Sequence, residues 1–109
     1  MGIPLVELAE VIRSKNSGPY ELTLDIIFRE DAVFRQVCAQ GLINQGLIAK
    51  TYGIAETDVL GVIEFIPAKA IKINLRRPVP SGSLGDTDVY GAQQHAPLLG
   101  LELALAGAD

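Results

Sequence analysis

Ala70 to Arg76 (AIKINLR) constrains the fold most. Ile71, Ile73 and Leu75 alternate with Lys72, Asn74 and Arg76, and a period of two marks a strand with one buried and one polar face. Glu21 to Phe28 (ELTLDIIF) repeats the pattern, with Leu22, Leu24, Ile26 and Phe28 on one side and Glu21, Thr23, Asp25 and the odd Ile27 on the other. Two such strands need a covering layer on one face only, and the sequence between them supplies it. From Glu30 to Gln40 the spacing turns helical, with Phe34, Val37 and Cys38 on one side, acids in the first turn and Gly41 as a stop. Asn44 then reads as the N-cap of a second short helix carrying Leu47, Ile48, Thr51 and Tyr52, ended by Gly53.

The remaining segments are less constrained. Val59 to Ile66 (VLGVIEFI) is a nearly continuous apolar run, rich in branched residues, and reads as an interior strand covered on both faces, Glu64 excepted. Part of that cover is expected from a partner subunit or from the long polar loop that follows, so an oligomer is anticipated. Leu5 to Arg13 fits a helix through Leu5, Leu8, Ala9 and Ile12, or a strand through Val6, Leu8 and Ile12, and its periodicity leans to helix. Ser14 to Pro19 reads as a turn, and Leu98 to Leu105 as a strand in preference to a short helix. The sum is an α+β sandwich in a single domain, 1–109, with one mixed or antiparallel sheet and two helices on one face.

Charge narrows the function. A formal net charge of -4 disfavours general nucleic-acid binding, which draws on a surplus of lysine and arginine. The single cysteine, Cys38, excludes an internal disulfide, and with no signal segment or long apolar span a reducing cytoplasm is the expected location. Between Glu64 and Asp86, however, every charged residue is positive: Lys69, Lys72, Arg76 and Arg77. The outward row Lys72, Asn74, Arg76, with Arg77 beside it, suits a carboxylate or phosphate such as an acyl-coenzyme ligand. A solvated strand face, or an edge kept charged against aggregation, is the commoner role for such a row.

Pro78 to Gly100 concentrates the reactive side chains and reads as an ordered functional loop. It holds the only histidine, His95, with Asp86 and Asp88 as candidate orienting acids and Tyr90, Gln93 and Gln94 as candidate binding groups. For a lone histidine, a backbone hydrogen bond within the loop is the commoner role. The spacing matches no metal-ligand pattern, and no cofactor is expected. Gly82 to Thr87 lacks the glycine spacing and lysine of a phosphate loop, so turn chemistry explains it better. Arg13, Ser14, Lys15 and Asn16 form a second polar cluster, which would complete one site with the His95 loop if the first segment lay beside the last strand.

The stretches IRSKNSGPYELTLDIIF (Ile12 to Phe28) and RPVPSGSLGDTDVYGAQQHAPLL (Arg77 to Leu99) resemble a small family of bacterial proteins of unknown function. That family is similar to the small C-terminal domain of acyclic terpene utilisation proteins, and its members accompany a separate large protein of that type. The resemblance implies a ferredoxin-like fold with Leu5 to Arg13 as a strand, and a setting in acyl-coenzyme A or organic-acid catabolism. Ser14 to Gly18 departs from the Ser-Gly-Asp-Lys-Gly turn of the fused domain, so the aspartate of that turn has no counterpart here. The expectation is an accessory subunit whose 77–97 stretch lies at the surface shared with its large partner or lines the partner's active site, with Asp86, Asp88, Tyr90, Gln93, Gln94 and His95 in contact and Tyr90 as anchor. The alternatives are a stand-alone lyase, hydratase or isomerase that uses His95 as acid or base and Arg13 or Arg76 to hold a carboxylate, and a ligand-binding regulatory module.

Overall fold

The computed structural model describes residues 2–18, 20–76 and 96–104. A short strand β1 (Ile3–Pro4) and a one-turn helix α1 (Leu5–Leu8) lead into β2 (Ala9–Gly18) and β3 (Glu21–Phe28). Helices α2 (Asp31–Gln40) and α3 (Gln45–Tyr52) follow, then β4 (Val59–Phe65), β5 (Ala70–Arg76), a 3-10 turn at Ala96–Gly100 and β6 (Glu102–Leu103). The main sheet is antiparallel in the order β2-β3-β5-β4, and β1 pairs with β6 in a separate ribbon. The architecture is the expected α+β sandwich of ferredoxin-like type, with both helices inserted in the single connection between β3 and β4.

The register explains the core. Leu22, Leu24 and Ile26 of β3 stand opposite Leu75, Ile73 and Ile71 of β5, so one face of the two central strands is continuous hydrocarbon. Phe34 and Val37 of α2 and Ile48 and Ala49 of α3 close over it, with Phe28 and Phe34 rings tilted at 5.9 Å. Leu5, Leu98 and Leu103 seal one end of the same core. Helices α2 and α3 each end where a glycine takes the left-handed conformation, Gly41 at φ 60° and Gly53 at φ 65°. The Asn44 side chain accepts from Leu47 N–H at 2.9 Å and donates to the Gly41 carbonyl at 2.9 Å, joining the end of α2 to the start of α3.

Four expectations are corrected. Leu5 to Arg13 is neither all helix nor all strand: Leu5–Leu8 form one helical turn, and the chain extends from Ala9 because pairing with β3 supplies its backbone bonds. Ser14 to Gly18 is strand, since a row of backbone partners from Leu24 to Glu21 outweighs the local turn preference of small polar residues. Val59 to Phe65 is an edge strand among the described residues, paired only with β5 and exposed over much of its length. Leu98 to Leu105, described as far as Ala104, contributes among the described residues only the two-residue strand Glu102–Leu103 after the 3-10 turn.

Candidate functional site

The face of the sheet turned away from the helices carries the polar chemistry. Its central row runs Arg13, Asp25, Lys72, Ile63 across the four strands. Arg13 Nε donates to Asp25 Oδ2 at 3.0 Å, and Lys72 Nζ lies 3.8 Å from Oδ1. The Asp25 side chain is 6 % exposed, and its Oδ1 accepts no hydrogen bond among the described residues. A charge removed from water in this way is held mainly by its neighbours, so the two cations fix the acid and the acid in turn fixes them.

Toward one end the next row is Lys15, Thr23, Asn74, Gly61, in which Thr23 Oγ1 donates to Asn74 Oδ1 at 2.9 Å. Beyond it Glu21 faces Arg76, whose guanidinium reaches Asp58 at 3.9 Å. Toward the other end the row is apolar: Val11, Ile27, Ala70, Phe65. Lys72 Nζ lies 6.0 Å from the centre of the Phe65 ring, at the outer limit of a cation–π contact. Ile63 and Phe65 are each about half exposed. The face therefore offers cations, a sheltered acid and an uncovered apolar end, in an otherwise acidic chain.

The second feature is a groove of about 660 Å³ between β4 and the C-terminal part of α2, lined by Cys38, Asn44, Gln45, the residues from Val59 to Glu64 and the aliphatic side chains beneath them. Burial, and then a hydrogen bond to Glu64, push the Cys38 thiol up to about 11. A thiol so protonated is a poor nucleophile. Burial raises Tyr52 as well.

Of the residues singled out in the sequence, Arg13, Lys15, Lys72 and Arg76 are brought to one face, with Arg13 and Lys72 on either side of Asp25. Arg77, Asp86, Asp88, Tyr90, Gln93, Gln94 and His95 lie outside the described residues. The Arg13 to Asn16 cluster does not flank the last strand: β2 lies against β3, while β6 pairs with β1. Asp25 and Thr23 escaped the sequence reading, although both sit on the outward side of the β3 alternation. Only the pairing register shows that Asp25 has a cation on each flank.

A family pattern matches residues 5–102, from α1 to the first residue of β6. The chain belongs to the family described as Domain of unknown function (DUF4387). The DUF4387 match thus takes in the open face and the groove together, and its description carries no activity, partner or link to acyclic terpene utilisation proteins. No curated protein and no solved structure matches the chain. Among the described residues no group of three or more His, Cys, Asp or Glu is placed to hold a metal ion, and no helix is long and apolar enough to cross a membrane.

Proposed function

We propose that this chain is a small accessory subunit of a complex with a large acyclic-terpene-utilisation-type protein, acting in acyl-coenzyme A or organic-acid catabolism, and that it docks through the open face of its sheet. One observation carries the reading: a sheltered carboxylate, Asp25, ringed by cations next to exposed Ile63 and Phe65. Buried ion pairs add little to stability compared with apolar packing of the same volume, but they fix orientation at an interface. An apolar patch beside them supplies the area that association needs. The named partner and the catabolic setting rest on the sequence resemblance; the placing of 77–97, with His95, Asp86 and Asp88, at the interface or in a shared active site rests on the polar side chains that this stretch concentrates.

The experiment is co-expression with a large protein of that type from the same source, followed by gel filtration and titration calorimetry. The wild type is expected to co-elute, and the Arg13→Glu/Lys72→Glu variant to bind at least about tenfold more weakly, since like charges brought together at an interface cost more than the about 1.4 kcal/mol of a tenfold change. A wild-type chain that fails to bind the large protein refutes the reading.

A further inference from the structure

The two edges of the main sheet are built differently. β2 carries Arg13 and Lys15 and is broken by irregularities at Ala9/Val11 and Asn16/Gly18, the devices that keep an edge from pairing with another chain. β4 has one ionisable residue, Glu64, and one irregularity, at its start between Val59 and Gly61. Around it Leu60, Ile63, Phe65 and Ile66 are between 41 and 57 % exposed. Its outward backbone groups meet no strand among the described residues. One edge is guarded and the other is suited to pairing.

We infer that β4 pairs antiparallel with β4 of a second copy of this chain, about a two-fold axis at Ile63. Charge and shape select this occupant and this register. An antiparallel pair related by a two-fold axis sets residues of like face opposite each other, so the possible centres are few. Centring on Glu64 sets two carboxylates face to face, which is unfavourable. Centring on Ile63 sets Glu64 against Val62 of the second copy and Ile63 against its own counterpart. The same register lays Phe65 over Gly61 of the second copy, on both sides of the axis, and an aromatic ring covering a cross-strand glycine is a favourable pair. The strand is thus complementary to itself. The product is one eight-stranded sheet with both open faces on the same side, so two Arg13–Asp25–Lys72 clusters flank a shared apolar seam of Ile63 and Phe65.

The test uses the full chain alone and is therefore independent of the large partner. Light scattering on the eluting wild type at tens of micromolar is expected to give twice the 11.6 kDa chain mass. In a Cys38→Ala background, Ile63→Cys places one thiol on the axis, where antiparallel partners lie about 4.5 to 5.5 Å apart at Cα, inside the range a disulfide spans. Mild oxidation is expected to convert that variant to a covalent dimer and to leave Lys15→Cys, on the guarded edge, uncrosslinked. Ile63 is half exposed, so the substitution leaves the core intact, and the wild-type mass does not depend on it. A monomeric wild type, a dimer that fails to crosslink at position 63, or equal crosslinking at position 15 overturns the inference.

Discussion

Arg13 and Asp25 face each other across β2 and β3, and their 3.0 Å bond joins a guanidinium that is mostly in solvent to a carboxylate that is almost wholly out of it. The pair is asymmetric. Without Asp25 the arginine rehydrates, whereas without Arg13 the acid is left sheltered with only Lys72 at 3.8 Å.

Arg13→Ala is accordingly expected to destabilise the fold by about 1–3 kcal/mol, the cost of leaving a buried acceptor unsatisfied. Asp25→Asn, which removes the charge and keeps the shape, is expected to cost less alone and to recover more than half of the loss in the Arg13→Ala background. Urea unfolding of the four proteins measures this. Strictly additive effects would show that the pair is not coupled.

Asn44 holds both sides of the α2–α3 junction. Asn44→Ala is expected to lower stability by about 1 kcal/mol, as the loss of an N-cap does. Gly41→Ala and Gly53→Ala each force a side chain into the left-handed region and are expected to cost about 1–2 kcal/mol. The added methyl meets no heavy atom within 4 Å at either position, so the cost is conformational and not steric. Thermal and urea unfolding of the single variants check it.

Alkaline pH is expected to weaken the fold. Burial raises both Cys38 and Tyr52, so as pH climbs above about 9 the unfolded chain releases these protons while the native chain still holds them. Stability from these groups is full below their unfolded values and is lost as pH rises toward about 11 for the thiol and higher for the phenol. Urea midpoints at pH 8 and pH 10.5 should therefore fall in that order, and Cys38→Ala should flatten part of the decline.

The same shift bears on thiol chemistry. With the Cys38 thiol near 11 instead of 9.0, its thiolate fraction at pH 8 is about a hundredfold lower than that of an unperturbed thiol. Alkylation by iodoacetamide is expected to be slower in the native protein by about that factor and to recover in urea. An equally fast native reaction would mean that Glu64 and the groove do not shelter the sulfur.

The strands and helices legible in the sequence are those whose own residues carry the pattern. The alternations of β3 and β5 and the stops at Gly41 and Gly53 record burial and backbone conformation at each position, and all appear in the structure. What escaped depends on neighbours distant in sequence. Ser14, Lys15 and Asn16 have the composition of a turn and extend because β3 lies beside them. Val59 to Phe65 has the composition of a doubly covered strand, and an apolar run does not say whether its second cover comes from the same chain. Arg13, Lys15, Lys72 and Arg76 were identifiable by charge, but their sharing of one face, with Arg13 and Lys72 on either side of Asp25, is a property of register. His95, Asp86 and Asp88 lie outside the described residues, so their roles rest on sequence.

The most direct test of docking through the open face is lysine acetylation footprinting of the chain alone and in complex with the large acyclic-terpene-utilisation-type protein. Lys15 and Lys72 stand on that face, while Lys50 is exposed on α3 on the other side of the sheet. Acetylation of Lys15 and Lys72 is expected to fall several-fold in the complex while that of Lys50 is unchanged. Undiminished labelling of Lys72 in a complex shown to be intact, or protection of Lys50 in its place, would contradict it.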